Sequence, residues 1–142
     1  MLFTHYMKLD FPATKQVRHY LANDVALKAV RSGAPLPDGA VLFVEVFQAK
    51  LDGAGNPVKG PDGLFEKDKL LFFTAMERQA GWGDAIPPEL RNADWRYALF
   101  APDGSVRAGV SEARCLACHK PKDAESYLFT YPQLAEKARA SR

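Results

Sequence analysis

Strand-like segments follow one another through the middle of this 142-residue chain without a long helix between them. Val, Phe and Leu dominate the run 40–51, a second apolar run spans 70–77, and the segments 95–100 and 106–110 flank a Pro-Asp-Gly turn. The connection 52–68 is rich in Gly, Pro, Asp, Asn and Lys, so it is expected to be an exposed hairpin loop. Parallel strands would need crossover helices, so antiparallel pairing is predicted. The predicted fold class is α+β, mainly β, with an antiparallel sheet of about five strands.

Short helices are expected at the amino terminus and around the end of the chain. Apolar residues at helical spacing predict a first helix over 14–22, and Asn23 can cap a second helix that ends near Arg31. Ser followed by Glu112 indicates a helix start before the two cysteines, and 132–140 is a candidate terminal helix.

Length and composition agree with one globular domain spanning residues 1–142. The hydrophobic fraction of 47% and the charged fraction of 25% are ordinary, and no apolar run is long enough to cross a membrane. The 19 basic and 17 acidic residues are scattered and leave a net charge of +2, so nucleic acid is not an expected partner.

Both cysteines of the chain lie in the run Cys115-Leu116-Ala117-Cys118-His119. A disulfide between them would close a tiny loop and constrain the unfolded chain very little. On a helical turn, both thiols can reach the two vinyl groups on one edge of a porphyrin, and the histidine can reach the iron from the same face. This spacing is specific for c-type haem. We therefore predict one covalently attached haem c, with His119 as the proximal ligand of the iron.

Two other chemistries use a pair of closely spaced cysteines. A redox dithiol favours a helix start beside a βαβ pattern, which this sequence lacks. Half of a zinc site would need His5 or His19 as a further ligand, because the chain has no second cysteine pair. Haem attachment explains all three residues of the motif and is the preferred interpretation.

The other side of the iron is less constrained by the sequence. An electron-transfer cytochrome closes its iron with Met or a second His, and the sources here are Met7, Met76, His5 and His19. Met76 ends an apolar strand and is expected to fill the core, while both histidines are expected at the surface. A five-coordinate iron with an open distal site is therefore predicted, and an electron-transfer cytochrome is the third choice of function.

An ordered set of features resembles the cytochrome P-460 family and its relative cytochrome c′-beta. After short amino-terminal helices, the set consists of Asn23 to Ala29, Pro37-Asp38-Gly39, the strand Val41 to Lys50, Gly81-Trp82-Gly83, Trp95 and the Cys-x-x-Cys-His motif. This resemblance covers about residues 18–121. It implies a mainly antiparallel β fold, a homodimer, one c-type haem and export to the periplasm. The opening residues lack the features of a secretory signal, so a signal peptide is expected to have preceded residue 1.

The resemblance leaves two functions open. Members with a lysine cross-linked to the haem macrocycle oxidise hydroxylamine, and their electrons leave through a soluble cytochrome. The c′-beta members lack this link and bind nitric oxide or carbon monoxide in an apolar distal pocket capped by phenylalanines. Lys50, at the end of the first long strand, is the candidate for a cross-link, and Lys67 and Lys69 are weaker candidates.

Hydroxylamine oxidation would also need a proton acceptor near the distal ligand. Glu77 at the end of the second strand and Glu45 could serve, with Arg18 or Arg78 as a nearby cation, although each is equally compatible with an exposed charge.

The two most strand-like segments supply candidate residues for an apolar distal pocket. The candidates are Phe43, Phe47, Phe72 and Phe73. Aromatic rings over the iron would exclude anions while admitting small neutral diatomic ligands. Because neither a distal acid nor a cross-linking lysine is securely identified, ligand binding is preferred to hydroxylamine oxidation.

Overall fold

The computed structural model of the protein describes residues 2–107 and 109–140. Within these ranges, five strands form one antiparallel sheet in chain order. They are β1 (Phe3–Phe11), β2 (Gln16–Asn23), β3 (Val41–Ala49), β4 (Lys67–Arg78) and β5 (Trp95–Phe100). The predicted fold class, mainly β with an antiparallel sheet of about five strands, is confirmed.

Three α-helices accompany the sheet in the described ranges. They are α1 (Asp24–Arg31), α2 (Glu112–His119) and α3 (Tyr131–Ala140). The side chain of Asn23 caps α1 by accepting a hydrogen bond from the Ala26 amide at 3.2 Å, and it also accepts one from the Val41 amide at 3.1 Å. The helices predicted to start after Asn23, near Glu112 and near residue 132 are therefore confirmed. No described helix is long and apolar enough to span a membrane.

The helix predicted over 14–22 is wrong, because this segment forms β2. Burial along β2 alternates, with Val17 and His19 buried between less buried neighbours, which is the period of a strand. Its pairing with β1 on one side and β3 on the other outweighs the weak helical periodicity. The partner strand β1 was not predicted, although residues 7–11 alternate between apolar and polar side chains; a β-bulge between His5 and Met7 breaks this alternation in the first half of the strand.

The two sequence-predicted hairpins are present, with differences in length. The connection after β3 carries short bridges between Leu51 and Pro57 and between Lys59 and Phe65, and β4 begins at Lys67. The hairpin after β5 closes with one bridge between Phe100 and Val106, and part of its predicted second strand, Ala108, lies outside the described residues.

The sheet has two faces with different partners. Ala22, Leu42, Met76 and Tyr97 are cross-strand neighbours in one row, and all four are buried in the core with residues of α1, α2 and α3. We call this side the helix face. On the other side, a row of four phenylalanine rings crosses the sheet at centroid distances of 5.0–6.0 Å. They are Phe3, Phe43, Phe73 and Phe100, and we call their side the aromatic face.

Candidate haem site

The helix that carries the two cysteines is anchored to the edge strand β5 at its first residue. Glu112 accepts two hydrogen bonds from the Arg96 guanidinium, both at 2.8 Å, and one from the Tyr97 amide at 2.9 Å. Burial opposes ionisation of Glu112, but these hydrogen bonds outweigh it and lower the pKa of the carboxyl. The ionised carboxylate thus fixes where α2 begins relative to the sheet.

A buried side-chain amide holds the middle of α2 in place. Asn92 is fully buried, and its Nδ2 donates to the Leu116 carbonyl at 2.9 Å and to the Tyr97 hydroxyl at 3.2 Å. Leu116 itself lies in the core. Cys115 and Cys118, three residues apart on one side of the helix, are free thiols; the first is half-buried and the second exposed. Burial, then the nearby Glu112 carboxylate, raises the pKa of Cys115.

The imidazole of His119 is oriented by a backbone carbonyl. Its Nδ1 lies 2.7 Å from the Tyr127 carbonyl oxygen, and its ring contacts those of Tyr97 and Phe129, each 4.9 Å away between centroids. A carbonyl can only accept, so Nδ1 carries the proton and Nε2 keeps its lone pair. Burial lowers the pKa of His119, while the Tyr127 hydrogen bond acts in the opposite direction. The neutral imidazole that results is the form that binds a metal.

The loop that supplies this carbonyl has an uncommon backbone. Ser126 and Tyr127 both have positive φ, 57° and 62°, in the left-handed region that side chains disfavour. Two hydrogen bonds hold them there. The Ser126 hydroxyl accepts from the Leu36 amide at 3.0 Å, and the Tyr127 amide donates to the Lys122 carbonyl at 2.7 Å.

Beyond the core row that contains Tyr97, the helix face continues as two further rows. The first outer row is Met7, Tyr20, Val44, Thr74 and Leu99. The second outer row is Leu9, Arg18, Val46 and Phe72. All except Val46 are partly exposed, which leaves a mostly apolar surface at the level next to His119. This surface, two free thiols and an unprotonated Nε2 together fit a haem.

Arg18 is the one cation among the paired residues of the outer rows, and the Arg107 guanidinium lies over the Phe72 ring, 5.0 Å from its centroid. The Arg18 guanidinium lies 4.0 Å from the centroid of the Phe11 ring, and its Nε is buried without a hydrogen-bond partner among the described residues. Its Nη2 donates to Gln16 Oε1 at 3.4 Å, so the described residues satisfy only part of the guanidinium.

The structure brings together only part of the predicted site. Cys115, Cys118 and His119 share α2, whereas the four phenylalanines predicted for the distal pocket are divided between the two faces of the sheet. Phe72 alone lies on the helix face; the other three, Phe43, Phe47 and Phe73, lie on the aromatic face. Adjacent residues of a strand alternate in direction, which separates Phe72 from Phe73.

The candidate lysines lie away from the outer rows. Lys50 is exposed, with 62% of its side chain accessible, and its Nζ lies 3.9 Å from a carboxylate oxygen of Glu66 in the β3–β4 connection. Lys67 lies over the Phe47 ring on the aromatic face, 4.9 Å from its centroid, and Lys69 is exposed.

The candidate carboxylates also lie on the aromatic face. Glu45 is 3.6 Å from His5, and Glu77 accepts a hydrogen bond from Gln79 at 3.0 Å beside a cleft of about 300 Å³. The Nε of Arg78 lies 3.4 Å from a carboxylate oxygen of Asp38, and Arg78 is separated from the outer rows by the row that contains Tyr97. Of the charged candidates, Arg18 is therefore the one in the outer rows.

The four predicted sources of a sixth ligand are also separated. Met76 is buried in the core, as expected, and His5 is exposed on the aromatic face. The expectation of a surface position for His19 is wrong: it is 7% exposed and packs against Phe47 on the aromatic face. Met7 is in the first outer row, on β1, four strands away from β5.

Sequence reasoning missed several residues of the site. Tyr20, Val44, Thr74 and Leu99 belong to the outer rows, and Tyr127 supplies the carbonyl to His119. The alternation of side chains within each strand was visible in the sequence. Which of the two alternating sets faces the helices is decided only by the packing of those helices.

A five-stranded antiparallel sheet with a Cys-x-x-Cys-His helix beside its helix face defines a mainly β class of haem-binding cytochrome. The family model described as Cytochrome P460 matches residues 2–130. The chain therefore belongs to the cytochrome P460 family, which confirms the resemblance drawn from the sequence. A comparison with curated proteins gave no match.

Proposed function

We propose that the protein is a mono-haem c-type cytochrome with a five-coordinate, His119-ligated iron that binds nitric oxide or carbon monoxide. The observation that carries the proposal is the composition of the two outer rows on the helix face. In these rows the described residues include no lysine and no carboxylate. The outer rows thus offer neither a cross-linking amine nor a proton acceptor for hydroxylamine oxidation.

The residues of α2 would hold the haem. Cys115 and Cys118 are the two thiols that add to the vinyl groups, and the exposed position of Cys118 leaves its sulfur accessible. His119 Nε2 is the iron ligand, and the hydrogen bond from its Nδ1 to Tyr127 fixes the plane of the ring and increases the basicity of Nε2. When bound, the haem supplies an iron with an open coordination position for a diatomic ligand.

The outer rows would select the ligand. In the first outer row, Val44 and Leu99 offer an approaching anion no hydrogen bonds, so an anion bound against them would lose its hydration without compensation. Nitric oxide and carbon monoxide are neutral and lose little on leaving water. Phe72 takes the capping role that was predicted for four phenylalanines, since it is the one of them on this face.

Hydroxylamine oxidation is the alternative, and Arg18 is the observation in its favour. The Nε of Arg18, in the second outer row, has no partner among the described residues and could bind a polar nitrogen ligand. This alternative would still need a lysine, and the exposed Lys50 is held near Glu66 at the base of the connection.

Trypsin digestion of the purified holoprotein followed by mass spectrometry tests the choice. We expect a single peptide, containing Cys115 and Cys118, to carry the haem. A second peptide containing Lys50 attached to the same haem would overturn the ligand-binding proposal in favour of the enzyme. Recovery of free haem would overturn covalent attachment.

The absorption spectrum of the ferrous protein tests the coordination number. We expect a high-spin, five-coordinate spectrum that changes on addition of carbon monoxide. A low-spin spectrum before addition would mean a sixth protein ligand, for which Met7 is the candidate on the helix face, and would support electron transfer instead.

Location and partners complete the proposal. Haem is attached to such motifs outside the bacterial cytoplasmic membrane, so the periplasm is the proposed compartment. The homodimer implied by family resemblance is also proposed, as is a soluble cytochrome that accepts electrons if the enzyme alternative holds. Fractionation of cells and light scattering of the purified protein test the first two.

A further inference from the structure

Three metal-ligating side chains meet on the aromatic face, on three neighbouring strands. His5 is on β1, His19 on β2 and Glu45 on β3. The pairing register places His19 directly opposite Glu45, and all three offer ligand atoms that lie within 4.8 Å of one another. From this juxtaposition we propose that His5, His19 and Glu45 form a binding site for one divalent transition-metal ion of the zinc class.

The distances are close to those of a metal site. In a tetrahedral zinc site with bonds of about 2.0–2.1 Å, ligand atoms are about 3.3 Å apart. His5 Nε2 already lies 3.6 Å from Glu45 Oε1. The edge of one imidazole faces the other, with centroids 6.0 Å apart, so small side-chain rotations bring both nitrogens towards a common point.

The backbone of β1 is adjusted at this place. A β-bulge lies between His5 and Met7, so that His5 is opposite Leu21 while Lys8 is opposite His19. The bulge puts His5 on the aromatic face together with Lys8, although the two are an odd number of residues apart. Bulges of this kind re-aim side chains next to functional sites.

The donor set favours zinc or copper over calcium or magnesium. Two imidazoles and one carboxylate are the ligands of many zinc sites, which leave the fourth position to water. Glu45 supplies one negative charge to offset the charge of the ion. Burial, followed by the nearby Lys8 and Lys67, lowers the pKa of His19 and keeps its imidazole neutral.

The surroundings limit how open the site is. His19 packs against the Phe47 ring at 5.1 Å, and it lines a cleft of about 510 Å³ beneath the β3–β4 connection. Lys8 is paired with Asp62 at 3.2 Å, which reduces the repulsion between its ammonium and a bound cation. The exposed side of His5 leaves a route from solvent.

The site lies on the other face of the sheet from His119, so a metal ion there would be independent of the haem. A bound ion would join the edge strand β1 to β2 and β3. This consequence can be measured, since a ligand that binds only the folded state raises its stability.

Calorimetric titration of Zn²⁺ into chelator-treated holoprotein tests the proposal. We expect saturable binding of one zinc ion per chain, an unchanged haem spectrum, and affinity reduced by at least about tenfold in His5→Ala and in Glu45→Gln. His5 is exposed and Glu45→Gln conserves shape, so both variants should fold even if a substitution of the buried His19 does not. The matched control Glu136→Gln, which removes an exposed carboxylate on α3, away from the site, should bind zinc as the unaltered protein does.

X-ray absorption at the zinc edge identifies the ligands. Nitrogen and oxygen neighbours alone support the proposal, and sulfur neighbours would place the zinc elsewhere in the chain and overturn it. Absence of saturable binding would also overturn it. So would His5→Ala and Glu45→Gln variants that bind zinc as tightly as the unaltered protein does.

Discussion

The ion pair between Glu112 and Arg96 connects the cysteine-bearing helix to the sheet, and its removal should have a measurable cost. Hydrogen bonds to charged groups contribute about 1.5–3 kcal/mol each when buried, whereas exposed ion pairs contribute about 0.2–1 kcal/mol. This pair is intermediate, with side chains 39% and 23% exposed. Glu112→Gln keeps an acceptor for the Tyr97 amide but loses the charge and one hydrogen bond to Arg96. We expect the free energy of unfolding at pH 7 to fall by about 1–2 kcal/mol.

The effect should depend on pH in a definite direction. The pKa of Glu112 is lowered in the folded protein, while the unfolded chain has the ordinary value of about 4.3. A carboxyl of this kind contributes its full stability above the unfolded pKa and loses it as the pH falls through the folded pKa. The difference between the original protein and Glu112→Gln should therefore be constant near neutrality and shrink in acid.

Urea denaturation of the holoprotein at a series of pH values measures this difference. Glu136→Gln, at an exposed position of α3, is the control and should change stability by less than about 0.5 kcal/mol. A difference for Glu112→Gln that is below about 0.3 kcal/mol at pH 7, or that grows as the pH is lowered, would refute the assigned role of the ion pair.

Three further substitutions probe the core, the outer rows and the attachment site. Leu116→Ala, at a position 2% exposed, should cost about 3 kcal/mol through the cavity it leaves, measured by thermal unfolding; a cost under about 1 kcal/mol would contradict its place in the core. Val44→Lys should weaken carbon monoxide binding about tenfold or more, by placing an amine in the first outer row, whereas Lys50→Met should leave it unchanged. Cys118→Ser should keep a haem linked through Cys115 alone, seen by mass spectrometry as one thioether instead of two; an unlinked haem would contradict attachment at both thiols.

Features set by local chemistry were predictable from the sequence. Asn23 marks the start of α1 because its side chain can accept the hydrogen bond of a free helical amide, and it does so. The spacing of Cys115, Cys118 and His119 requires one helical turn, and α2 ends at His119. The apolar runs of β3 and β4 were equally clear. In each of these cases the residues within one short segment determine its structure.

Features set by partners distant in the chain were not predictable. The segment of β2 has apolar residues that fit a helix as well as a strand, and only its pairing with β1 and β3 decides between them. The face of the sheet that each candidate distal phenylalanine occupies was not predictable for a related reason. Phe43 and Val44 are neighbours of similar hydrophobicity, and the docking of α1 and α3 against the row of Leu42 determines that Val44, two residues further on, also faces the helices.

The loop before α3 combines these two kinds of feature at His119, the proposed iron ligand. Nothing in the sequence from Ser126 to Tyr127 predicts left-handed backbone, because neither residue is glycine or asparagine. Conformations of this kind cost of order 1 kcal/mol or more each, and they persist where the surrounding contacts enforce them. Here the Ser126 hydroxyl is tied to the Leu36 amide, and the result is a carbonyl of Tyr127 aimed at His119 Nδ1. The strain is therefore located where it determines which imidazole nitrogen of His119 carries the proton, and a relaxed loop would release the ring of the proposed iron ligand.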